Sequence, residues 1–249
     1  MHEAHALRRA LVKYSQRIWG RGWVANHDGN ITARLDKNHV LATPTAFAKN
    51  EIQEDDLVVV DLWKGDVVRG KNKVFSEISL HLEYYRVRSD VGAVVHAHPP
   101  CSSGFSIAGI EVETRLTPEA IVSLGDRIPL APLVKPGSLA SRQQVRTLGA
   151  VYDAIMLANH GSLACGVDVE QAYLRTELVE HLALMQQQAM VLGSVRLVQP
   201  ELVIELMAKR RRAGLGPEAR NAPAPSPQAL SELPVEQIIS AMVEELKTD

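Results

Sequence analysis

Apolar residues recur at helical spacing through residues 3–19, at Ala6, Leu7, Ala10, Leu11, Tyr14 and Ile18, the pattern of an amphipathic helix. Gly20 and Gly22 then stop it. The period changes after a turn-rich "WVANHDGN". Short apolar runs at Ile31–Leu35, "HVLAT" and "DDLVVVDL" read as strands, and "WKGDVV" reads as a hairpin turn into a partner strand. "FSEISLHLEYYRVR" returns to helical spacing, with Ser76 as the expected N-cap. "GAVVHAH" is a strand that Pro99 and Pro100 end, "TPEAIVSLG" a short helix or loop, and "IPLAPLV" is extended. "LASRQQVRTLGAVY" predicts a helix, "DAIMLANHG" a strand, and "DVEQAYLRTELVEHLALMQQQAMVLG" a long helix. Strands mixed with helices, several of them hairpin-linked, predict an α/β domain with a mixed, largely antiparallel sheet and helices packed on it.

The pattern changes again at residue 213. "AGLGPEARNAPAPSPQALSELP" holds five prolines and reads as a linker, and "VEQIISAMVEEL" after it has helical periodicity. The expected division is therefore one domain over 1–212 and a Pro-rich linker with a helical tail over 213–249.

Composition narrows the class. With 46% hydrophobic and 22% charged residues among 249, the chain has the make-up of an ordinary globular protein. A formal net charge of −2 gives no reason to expect nucleic acid or an acidic membrane as partner. Two isolated cysteines, Cys101 and Cys165, read as thiols of a reducing compartment. The first residues lack an apolar signal-peptide run, and no stretch approaches the roughly 20 apolar residues of a membrane span. A cytoplasmic location is expected.

The chemistry concentrates at strand ends. Residues i and i+2 of a strand share a face, so His96 and His98 of "VVHAHPP" project together. Alone, the pair is more often two ordinary histidines. "AIMLANHG" places His160 at the polar exit of another apolar strand, with Gly161 allowing a sharp turn. Three imidazoles with an open fourth position make a catalytic metal set. Glu77, alone, is a first-turn glutamate that complements a helix dipole. Next to a metal it is also a proton carrier. His81 shares a helix face with Glu77 and reads as packing or support. His2, His5, His39 and His181 read as surface residues.

"DGNITAR", "TPT", "SE…H", "VVHAH" and "NHG", in that order over roughly residues 5–195, resemble the class II aldolase/adducin family. The resemblance implies a three-layer α/β/α domain and a C4 homotetramer with active sites near subunit interfaces. It implies a divalent metal, zinc first and Mn²⁺ or Co²⁺ as alternatives, held by His96, His98, His160 and, at rest, Glu77. It implies that Glu77 is the catalytic acid/base and that Asn30, Thr45 and Ser76 bind the substrate. The reaction implied is lyase chemistry on a small hydroxy-carbonyl, sugar or sugar-phosphate-like compound through a metal-stabilised enediolate. Glu rather than Asp at position 77 leans toward cleavage over epimerisation. Decarboxylation, epimerisation or dehydration on the same metal is the alternative, and a non-catalytic scaffold the third. Ala46 stands for the family's loop glycine, Phe75 for a serine, and Pro118 for the tyrosine acid, with Glu119 as the replacement donor.

Overall fold

The computed structural model describes residues 2–216. The tail helix expected over 235–246, and all but the start of the Pro-rich linker, lie outside the described residues. Helix α1 (His2–Gly20) precedes β1 (Asn30–Arg34) and β2 (His39–Ala42). A single 3₁₀ turn, Glu54–Asp56, leads into β3 (Val58–Asp61) and β4 (Val67–Arg69). Then come α2 (Ile78–Val87), β5 (Ala93–Ala97), α3 (Pro100–Ala108), α4 (Pro118–Leu124), β6 (Leu130–Ala131) and α5 (Leu139–Gly149). The hairpin strands β7 (Ala154–Leu157) and β8 (Gly161–Gly166) lead to α6 (Val169–Leu192) and α7 (Pro200–Arg212).

The strands form one sheet in the order β4-β3-β2-β1-β5-β8-β7-β6. Every pairing is antiparallel except β6 with β7. The expected mixed, largely antiparallel sheet is what the structure has. Side-chain alternation sorts the strands between two layers. Val94, Leu163 and Cys165 join the core under α2 and α5. Ala93, Val95 and Ala97 join the core under α1 and α6, which α3 and α4 extend past β7. The result is helices, sheet, helices.

Several expectations are corrected. Ser76 does not cap α2. The helix opens at Ile78 and Glu77 itself takes the N-cap position, with no side-chain capping bond. The segment after "ANHG" is a strand, β8, in the middle of the sheet. Its Gly-Ser-Leu-Ala-Cys-Gly sequence lacks the β-branched residues that mark strands, and flanking pairing supplies what propensity does not. The prolines after His98 end a strand and also start a helix, because Pro100 stands in the first turn of α3, where a missing N–H costs nothing. Pro200 starts α7, an unforeseen helix, in the same way.

A buried ionic cluster fastens the two helical layers together. Asp153, just before β7, is 1% exposed. Its carboxylate meets Arg88 at 2.7 Å, Arg175 at 2.9 Å and Arg210 at 2.5 Å. Those arginines come from the end of α2, from α6 and from α7. Removing one side of a buried ion pair strands the other. Asp153→Ala is therefore expected to cost about 3–5 kcal/mol, a fall in Tm on the order of 10 °C by scanning calorimetry. A Tm within 2 °C of wild type would refute this account of the cluster (threshold set at roughly one kcal/mol).

Candidate metal centre

Strand β5 ends where its sheet neighbours also end or turn. His96 pairs with Leu163 of β8 on one side and with Asn30 of β1 on the other. It shares the parity of Val94, so its ring lies on the α2 side of the sheet. Its Nδ1 is 2.9 Å from the Ser162 carbonyl oxygen. A carbonyl only accepts, so Nδ1 carries the proton and Nε2 presents a lone pair. His98 follows the strand, and its Nε2 lies 3.0 Å from His96 Nε2.

His160 arrives by a tight turn. Its N–H bonds the Leu157 carbonyl at 3.1 Å, and Asn159 adopts left-handed φ of 55°. Gly161 allows the approach: a Cβ there would sit 2.4 Å from the Ala97 carbonyl oxygen and 2.6 Å from His98 Cδ2. The three rings meet pairwise with centroids 4.7 to 4.8 Å apart.

Glu77 closes the set. The N-cap position leaves its side chain outside the helix, and its two oxygens reach different histidines. Oε2 is 3.5 Å from His96 Nε2, and Oε1 is 3.4 Å from His160 Nε2. Oε1 is buried and finds no hydrogen-bond donor among the described residues. Tetrahedral bonds of about 2.0–2.1 Å place ligand atoms roughly 3.3–3.4 Å apart. A buried, unsatisfied carboxylate oxygen facing converging imidazole nitrogens at such spacings fits a divalent cation. Burial, reinforced by the neighbouring His160, pushes His96 down to about 3, against the pull of the Ser162 bond. Burial and then His96 and His160 push His98 down to about 4, with Asp28 and Glu77 opposing. Both rings are thus neutral, the ligating form.

The other expected residues distribute unevenly. Asn30 is buried beside His96, and its Oδ1 also lacks a hydrogen-bond partner among the described residues. Thr45 is exposed on the loop after β2. That loop is tied to the stretch before Glu77 by the Pro44–Val74 bridge and by the Thr45 N–H to Lys73 carbonyl bond of 3.0 Å. Thr45 and exposed Ser76 therefore lie on adjoining chain segments. Ala46 keeps a left-handed φ of 61°, so the loop retains a glycine-type turn under strain. The Phe75 ring is turned into the core, edge-on to His81 at 5.1 Å. His81 is fully buried and held by Thr32 Oγ1 at 2.9 Å, a packing and support role. Glu119 is exposed in the first turn of α4, and no contact joins it to the histidine cluster among the described residues. An apolar crevice of about 120 Å³ borders His160, lined by Leu80, Val134, Pro136 and Leu157 among others. Sequence reasoning passed over Ser162, whose contribution is a backbone oxygen, and Lys49, a buried loop lysine that leaves no pattern.

Imidazoles and a carboxylate converging at the strand ends of a three-layer domain are the donor set of a metal-dependent enzyme. The chain matches the model described as Class II Aldolase and Adducin N-terminal domain over residues 9–187, and it belongs to the class II aldolase and adducin family. It is 33% identical over 173 residues to an L-fuculose phosphate aldolase of Methanococcus maripaludis (strain C7), covering 70% of this chain and 92% of that one. It is 29% identical over 180 residues to a 3-oxo-tetronate 4-phosphate decarboxylase of Pectobacterium atrosepticum, covering 71% and 81%. Among solved structures, an L-fuculose 1-phosphate aldolase superposes with a TM-score of 0.76 at 25% identity, covering 82% and 95%.

The depressed histidines carry a pH signature in the metal-free protein. The unfolded chain takes up protons near pH 6.5, whereas His96 does so near 3 and His98 near 4 in the fold. The unfolded state therefore binds more protons across this window, and stability is present above it and lost as pH falls through it. Tm should drop as pH is lowered from about 7 toward 4, with a shallower slope in His96→Asn. Equal slopes in the two proteins would contradict the assignment.

Proposed function

We propose that the protein is an aldolase that cleaves a small hydroxy-carbonyl compound, sugar or sugar-phosphate-like, with His96, His98, His160 and Glu77 holding the metal. The observation that carries this reading is the Glu77 carboxylate spanning His96 and His160 with one oxygen unsatisfied. A bound divalent cation, zinc first for an imidazole-rich set, supplies Lewis acidity for negative charge on substrate oxygens. The chain's own residues do the rest. His96 keeps its lone pair aimed at the centre because Ser162 holds its proton on Nδ1. Glu77 would take a proton from the substrate hydroxyl and return it to carbon. Asn30 offers its buried amide to a substrate oxygen, and the Thr45 and Ser76 hydroxyls hold the far polar end. Glu119, exposed on α4, is the candidate to share the proton transfer at the substrate hydroxyl, suited to serve a neighbouring copy in a homotetramer. A cytoplasmic site of action, and a catalytic domain of 1–212 followed by a tail over 213–249, complete the reading.

Decarboxylation is the second reading. It is favoured by Phe75, which puts an inward-turned ring where the resemblance expects a serine hydroxyl. Loss of CO₂ from a keto acid draws on the same charge stabilisation. A panel of hydroxy-carbonyl and keto-acid substrates separates the two by aldehyde release against CO₂ release.

Glu77→Gln is expected to retain bound metal and lose roughly 10²–10⁴-fold of turnover. His96→Ala should lose both. Purified protein that contains no metal and takes up none of Zn²⁺, Mn²⁺ or Co²⁺ would sink the proposal.

A further inference from the structure

Two of the converging imidazoles are held from behind in different ways. His96 is held by a backbone carbonyl at 2.9 Å. Behind His98 stands a carboxylate, with Asp28 Oδ2 at 3.8 Å from Nδ1. That distance exceeds a direct hydrogen bond and lies within ion-pair range.

Asp28 belongs to a turn wrapped around the end of β5. The His98 N–H bonds the Trp23 carbonyl at 2.8 Å, and the Asp28 N–H bonds the Ala25 carbonyl at 2.9 Å. Asn26 and Gly29 are both left-handed, at φ 51° and 72°. A Cβ on Gly29 would meet Val24 Cγ1 at 2.3 Å and the His96 carbonyl oxygen at 3.2 Å, so the turn is pressed against the strand.

Lys49 anchors this turn. This lysine is 1% exposed. Its ammonium donates to the His27 carbonyl and to the Phe47 carbonyl, each at 2.9 Å. One bond lands on the turn that carries Asp28, and the other on the loop that carries Thr45. Burying an ammonium is costly unless it is hydrogen-bonded. Burial pushes Lys49 down to about 8, and the nearby Asp28 charge pulls it back up. A lysine kept at that expense between two loops has a local task.

We propose that Asp28 and Lys49 are positioning residues of the metal centre: Asp28 holds His98 through Nδ1, and Lys49 holds the turn that aims Asp28. The proposal rests on the metal reading given above. A carboxylate behind a ligating histidine fixes its ring and raises its basicity, and losing such a partner costs about 10–100-fold in metal affinity.

The test is Zn²⁺ affinity of the metal-free full-length protein, read by competition with a chromophoric chelator, with the visible spectrum of the Co²⁺ form as a second readout. Asp28→Asn, at a side chain that is 49% exposed, should keep the fold and weaken Zn²⁺ about 10–100-fold, and Asp28→Glu should recover part of the loss. Lys49→Met should weaken Zn²⁺ in the wild-type background and much less in the Asp28→Asn background. Asp36→Asn, at an exposed carboxylate bonded to His39, should leave affinity unchanged. Wild-type affinity and an unaltered Co²⁺ spectrum in Asp28→Asn would overturn the proposal, whatever Lys49→Met does. Additive losses from Asp28→Asn and Lys49→Met would overturn the link between them. A wild-type protein that takes up neither Zn²⁺ nor Co²⁺ would instead defeat the functional reading itself.

Discussion

The hydrogen bond between His96 Nδ1 and the Ser162 carbonyl spans the junction of β5 and β8. That junction joins the meander of β1 to β4 to the β6–β8 half of the sheet. The same contact therefore does structural and chemical work. It satisfies a buried imidazole, it fixes which nitrogen holds the proton, and it turns the other nitrogen toward His98, His160 and Glu77. A one-residue slip of β5 against β8 would send His96 to the opposite face, where Val95 and Ala97 now pack under α1 and α6.

Electrostatics at the centre follow from that burial. His96 is 1% exposed, and Glu77 Oε1 has no hydrogen-bond partner among the described residues. Desolvation keeps His96 and His98 neutral, so imidazole lone pairs and a carboxylate gather around one point. Such a gathering is unfavourable alone and favourable around a cation. The strain at Ala46 and Asn159, both left-handed without being glycine, lies in the loops bordering this point. Strain of this kind persists where surrounding structure enforces it, and it clusters at functional sites.

Much of this was legible in the chain because it rests on local rules. Strand alternation placed His96 and His98 on one side, and Asn-His-Gly marked a turn. Hairpin links foretold an antiparallel sheet. Other features had no local signal. β8 is strand by pairing rather than propensity, and Glu77 rather than Ser76 takes the N-cap position of α2, its carboxylate turned to the histidines instead of capping the helix. The inward turn of Phe75 depends on a cavity formed by sheet and helix together. The clamp by Lys49 joins two loops 22 residues apart, and nothing in either loop announces the other.

The sequence by itself determined the layers, the donors and the family, since periodicity and residue chemistry are properties of neighbours along a chain. Only the tertiary structure decided which donors meet. Convergence of Glu77, His96 and His160 needs the register of β5 on β8, the missing Cβ of Gly161 and the position of α2 over the sheet. Those are long-range packing constraints, and each acts between residues that the sequence holds far apart.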